Sequence, residues 1–126
     1  MSQDAAVRLE IPEKLRGVVR SVLDRKALDL RVLHIGEVSD FTEFFLICSG
    51  TSERQVQAIA DAVLQGTKES GIRPVGVEGY RHGHWVLLDY GEIVVHVFSS
   101  EIRDYYGLER LWGDAVDVTE ALLRGD

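Results

Sequence analysis

Apolar residues recur at helical spacing between Pro12 and Lys26, where Leu15, Val18, Val19, Val22 and Leu23 fall at i, i+3, i+4, i+7 and i+8. The spacing predicts a helix with one buried face, and a proline suits its first turn. Its other faces carry Lys14, Arg16, Arg20, Arg25 and Lys26, which read as solvated. The pattern then changes period. Leu30–Ile35 and Glu43–Ser49 read as two strands joined by a polar connection containing Gly36, Ser39 and Asp40, and they are expected to pair antiparallel. The second strand is apolar on both pleat faces, as in a central strand covered on two sides. At Ser52 the helical period returns. Ser52 and Gln55 match a capping box, Val56, Ile59, Ala60 and Val63 continue a buried stripe, and Gly71 is placed to end the helix in the left-handed conformation.

Beyond Pro74, residues 75–80 predict a strand and residues 81–83 a turn. His84–Tyr90 and Ile93–Phe98, separated by Gly91-Glu92, predict a hairpin. Ser99 or Ser100 can cap a short helix containing Ile102, Tyr105 and Tyr106, which Gly107 breaks, and a weak helical signal lies near Val118–Leu123. The sum is an α/β chain with a mixed five-stranded sheet and flanking helices. A length of 126 residues fits one domain.

Composition narrows the class. The longest apolar run, Phe44–Cys48, is far below the roughly 20 residues of a membrane-spanning helix. The first residues lack the apolar core of a signal peptide and one cysteine cannot form an internal disulfide, so a reducing cytoplasm is the expected compartment. The net charge is −7, and residues 74–126 hold 4 basic against 10 acidic side chains. Such a surface repels nucleic acid phosphate and suits a basic protein partner.

Several chemistries can be weighed against simpler readings. Gly50-Thr51-Ser52 at a helix start can bind phosphate through backbone donors, but no Walker lysine or G-x-G-x-x-G accompanies it, and the capping box explains the same residues. A nucleotidyltransferase layout needs close carboxylates for metal ions, whereas the strands offer Glu78 and Asp89 singly and His96 where another acid would be useful. Histidines 82, 84 and 96 lack partners at metal-ligand spacing and read as hydrogen-bonded or exposed. Cys48 reads as a buried hydrophobe. The aromatic and acidic residues of the second half carry more weight. Trp85, Leu87 and Asp89 alternate onto one pleat face and Val86, Leu88 and Tyr90 onto the other, so an uncovered face would present Trp85 or Tyr90 among apolar and acidic neighbours, as binding hot spots do.

Residues 47–52 with Ala58-Ile59-Ala60-Asp61, then Val77–Tyr80, Trp85–Gly91, Val94–Phe98 and Tyr105–Asp114, occur in an order that closely resembles the ribosomal silencing factor (Iojap) family over about residues 12–115. The resemblance sets the domain at residues 12–115, with tails at 1–11 and 116–126, and implies a nucleotidyltransferase-like fold without the catalytic acids, no enzymatic activity and no cofactor. It implies a translational repressor that binds the large ribosomal subunit, chiefly through its protein fourteen, and sterically blocks joining of the small subunit. Carried onto this chain, the partner-binding residues are Trp85, Leu88, Tyr90, Phe98 and Tyr105 for apolar contacts and Glu78, Asp89 and Glu109 for polar ones. Trp85 and Leu88 lie on opposite pleat faces, so both can touch one partner only at a strand edge or end. A minor contact to ribosomal RNA and a homodimer of the free chain are compatible with this reading. The alternative is a divergent nucleotidyltransferase-like, nucleotide-binding enzyme, motivated by Gly50-Thr51-Ser52.

Overall fold

The computed structural model describes residues 11–107, 110, 113 and 115–124. Helix α1 (Glu13–Asp24) starts after Pro12 and buries Leu15, Val18, Val19 and Val22, as the spacing predicts. Strands β1 (Leu28–His34) and β2 (Phe44–Gly50) pair antiparallel, with a register shift between Leu28 and Arg31. Every residue of β2 is buried, in keeping with its two-sided apolar sequence.

Helix α2 (Glu53–Glu69) is capped by Ser52, whose Oγ accepts from the Gln55 N–H at 3.1 Å. The reciprocal half of the expected capping box is displaced by one residue. Gln55 Oε1 accepts from the N–H and hydroxyl of Thr51, at 2.6 and 2.8 Å, rather than from the Ser52 N–H. Gly71, at φ +77°, follows the helix in the left-handed region.

Strand β3 (Gly76–Glu78) is shorter than expected, because Gly79 turns the chain at φ +77° against the Trp85 carbonyl, where a Cβ would collide. Strands β4 (Trp85–Asp89) and β5 (Ile93–Ser99) form the expected hairpin, and β5 then pairs in parallel with all of β2. Helix α3 (Ser100–Tyr106) follows and ends at left-handed Gly107. Ser99 occupies its cap position without a side-chain hydrogen bond.

The sheet has six strands rather than five, in the order β3-β4-β5-β2-β1-β6. The additional strand, β6 (Val116–Asp117), lies in the segment expected to be a tail and pairs antiparallel with β1. Helix α4 (Thr119–Arg124) follows, with Val118 and Leu122 in the main core and the Thr119 Oγ1 accepting from the Val32 N–H at 2.8 Å. Two residues are too few to show strand alternation, which is why this strand escapes sequence analysis.

The sheet separates two apolar clusters. On one side α1 and α2 cover Val32, Phe44, Leu46, Cys48, Val86, Leu88, Val95 and Val97. On the other, Leu33, Ile35, Phe45, Ile47, Val94 and Phe98 pack with Ile102 of α3 and with partly buried Trp85 and Leu87.

Candidate functional site: a half-covered sheet face

The two clusters decide which residues of β4 face outward. Val86 and Leu88 are fully buried under the helices, whereas Trp85, Leu87 and Asp89 are half-buried on the opposite face. Register sets Glu78 beside Leu87, and Leu87 beside His96 of β5. Trp85, Leu87, Asp89 and Glu78 thus form an apolar centre with an acidic margin.

Trp85 is held from three directions. Its ring stacks on Phe98 at 4.8 Å between centroids, and its Nε1–H donates to His96 Nδ1 at 3.1 Å. Its backbone faces Gly79. His96 is itself 4% exposed and sits edge-on to Phe45, and burial pushes its pKa down to about 4. The ring is neutral at pH 7, so Nδ1 accepts and Nε2 carries the proton, and that Nε2–H finds no partner among the described residues. An aromatic residue fixed in one orientation is a preorganised anchor, because little rotamer freedom remains to be lost on binding.

The loop entering β4 is fastened along α2. His84 Nε2 meets Glu53 at 2.5 Å, Gln57 Nε2 donates to the Tyr80 and Arg81 carbonyls at 2.9 and 3.0 Å, and the Tyr80 hydroxyl donates to Asp61 at 2.8 Å. Glu53, Gln57 and Asp61 are spaced four apart, which places them on one helical face. The Asp61 carboxylate raises the Tyr80 pKa through that hydrogen bond.

The remaining expected contact residues fall elsewhere. Leu88 and Phe98 are fully buried, and Tyr90 is 5% exposed with its hydroxyl 2.8 Å from Thr67 Oγ1. These three side chains therefore build the core beneath the face and offer a partner no surface of their own, which corrects their assignment as direct contacts. Tyr105 lies in the last turn of α3, and Glu109 lies outside the described residues. Leu87 is the residue that sequence reasoning missed, although its alternation with Trp85 was the signal for it.

The phosphate reading of the Gly50-Thr51-Ser52 turn meets a local obstacle. The N–H groups of Thr51 and Gln55 already donate to side chains of the same turn. Cys48 is fully buried and its thiol is pushed up to about 12 by desolvation, with Arg103 acting in the opposite direction. Such a thiol is not a nucleophile at neutral pH. Among the described residues no group of three His, Cys, Asp or Glu side chains is placed to hold a metal ion, and no helix is long and apolar enough to cross a membrane.

The described residues thus form an α/β domain with a mixed six-stranded sheet, one face of which carries the anchored Trp85. The family model described as "Ribosomal silencing factor during starvation" matches residues 8–125, and the chain belongs to that family. A ribosomal silencing factor of Halalkalibacterium halodurans is 47% identical over 106 residues, covering 84% of this chain and 91% of that protein. A crystal structure from Chromobacterium violaceum superposes with a TM-score of 0.80 at 38% identity, covering 83% of this chain and 88% of that one. A mouse protein named mitochondrial assembly of ribosomal large subunit protein 1 is 31% identical over 98 residues, 75% of this chain and 43% of its own length. The family establishes a ribosome-associated silencing role, and the Halalkalibacterium relative is named a ribosomal silencing factor.

Proposed function

We propose that this chain represses translation in the cytoplasm by binding the large ribosomal subunit, chiefly through its protein fourteen, and blocking the small subunit from joining. The observation that carries the reading is the face built by Trp85 and Leu87 between Glu78 and Asp89, half-exposed on a preorganised strand. The excess of acid in residues 74–126 favours a basic ribosomal protein as the surface that meets it. The mouse relative's printed name, which refers to assembly of the large subunit, supports the choice of subunit. Tyr105 and Glu109 are further proposed contacts to this partner, on the family resemblance alone.

The action requires no chemistry at the site. Trp85 and Leu87 supply desolvation, the carboxylates supply orientation, and the bulk of the domain excludes the second subunit. Sedimentation of tagged protein with separated subunits and with assembled ribosomes at physiological salt tests this. Enrichment on free large subunits with exclusion from assembled ribosomes is expected. Absence from every ribosomal fraction overturns it.

A further inference from the structure

Near its N-terminal end, helix α2 carries a glutamine on each flank, and both side chains reach across to the main chain of a neighbouring segment. Gln55 Nε2 donates to the carbonyls of Arg25 and Lys26 at 3.3 and 3.4 Å, and Gln57 Nε2 to those of Tyr80 and Arg81. Residues two apart on a helix are turned by about 200°, so the two segments lie on opposite flanks of α2. Val56, Ile59, Ala60 and Val63 are buried beneath the helix, and Arg54 falls on the opposite arc, between the two glutamines. Arg25, Lys26, Arg54 and Arg81 are thereby gathered into one band across the outer side of this helix end, and all four are exposed.

Charge and rigidity set the band apart from the rest of the surface. It assembles four cations in a chain of net charge −7. Asp24 and Asp29 flank Arg25 and Lys26 in the sequence, which still leaves the band cationic. The carboxylates on this side of α2, Glu53 and Asp61, are engaged by His84 and Tyr80. Among the described residues, the side chains of the four cations form no ion pair. Gly83, at φ +72°, packs on the Glu53 main chain where a Cβ would collide, so the loop bearing Arg81 is seated on the helix. The main chain is fixed on both flanks while the charged ends face solvent.

We propose that this band contacts the phosphodiester backbone of ribosomal RNA, a contact that rests on the proposed docking to the large subunit. Three of the four cations are arginines, whose planar fork matches phosphate oxygens in pairs. The exposed residues of the turn that opens α2, Thr51 to Arg54, are all polar. The band therefore lacks an apolar centre of the kind that Trp85 and Leu87 supply, which a protein partner needs and a phosphate backbone does not. His84 is fastened to Glu53 and precedes Trp85, so the band is tied to the sheet face and the two can meet adjoining parts of one particle. Elsewhere the acidic chain repels RNA, and approach is favoured with this end forward.

The test measures affinity of the full chain for purified large subunits across a series of potassium chloride concentrations at constant magnesium. Each phosphate contact releases counterions, so Arg54→Gln and Arg81→Gln should each flatten the plot of log affinity against log salt by about 1. The variant with all four cations replaced by glutamine should flatten it by about 2 or more, with unchanged circular dichroism. Trp85→Ala should weaken binding without altering the slope. A second measurement places a photoreactive benzophenone maleimide at exposed His82→Cys, native Cys48 being buried. Irradiation on the large subunit should give a cross-linked product that ribonuclease digests. A slope unchanged in the fourfold variant overturns the proposal, as does cross-linking to protein alone, and both leave the ribosomal reading standing. Failure of the chain to bind large subunits at any salt overturns the two together.

Discussion

His96 couples the protonation of one buried ring to the anchoring of Trp85. In the unfolded chain its pKa is the ordinary 6.5, and in the folded chain burial lowers it to about 4. Above pH 6.5 the ring is neutral in both states and its stabilising share is complete. Between 6.5 and 4 only the unfolded chain takes up the proton, so stability falls as pH falls. Linkage gives a loss of about 2.5 kcal/mol by pH 4.5, and about 3 kcal/mol once the folded ring also protonates. Protonation places a hydrogen on Nδ1, where it confronts the Trp85 Nε1–H, and the pair loses its bond. His96→Asn is the informative variant, since its Oδ1 can replace Nδ1 as acceptor and it does not titrate. Urea unfolding followed by circular dichroism at pH 7.5, 5.5 and 4.5 compares the two proteins. The variant carries a constant penalty for lost packing, and the gap between it and the wild type should narrow, then reverse or close, by about 2.5 kcal/mol across that range. Parallel stability curves would refute the burial argument.

Other expectations separate the face from its support. Trp85→Ala should fold and weaken binding to large subunits by about 2 kcal/mol, roughly thirtyfold, in the sedimentation assay; undiminished binding would remove Trp85 from the interface. Leu88→Ala should instead cost about 2–5 kcal/mol of folding stability, read from urea midpoints, because the side chain is wholly buried. Gly79→Ala combines a positive φ with a collision at the Trp85 carbonyl, and a loss of about 3 kcal/mol is expected in the same measurement. Cys48 should resist thiol reagents in native protein at pH 8 and react on unfolding, and rapid native labelling would contradict its burial.

Much of this arrangement was legible in the residues. The apolar run of β2, the Gly91-Glu92 hairpin and the Ser52 cap each follow from local physics, and each is present. The outward face of β4 was not legible. Alternation sorts Trp85, Leu87 and Asp89 from Val86, Leu88 and Tyr90, but the side that stays open depends on where α1, α2 and α3 settle, which pairings distant in sequence determine. Tyr90 illustrates the cost of that ignorance: an aromatic among acidic neighbours resembles an interface residue until Thr67 of α2 proves to be its partner. Leu88 and Phe98, expected as contacts from the family resemblance, are likewise wholly buried.

The parallel seam between β2 and β5 also shapes how the chain reaches this structure. β1 and β2 are close in sequence, as are β4 and β5, so each antiparallel pair can assemble from local contacts alone. The seam joins Phe44 to Ile93 and Gly50 to Ser99 across the whole of α2, β3 and β4. The antiparallel contact of β6 with β1, from Leu33 to Asp117, spans still more of the chain, so the sheet is completed only by pairings that each cost loop-closure entropy, and such a topology is expected to fold more slowly than one built from hairpins alone.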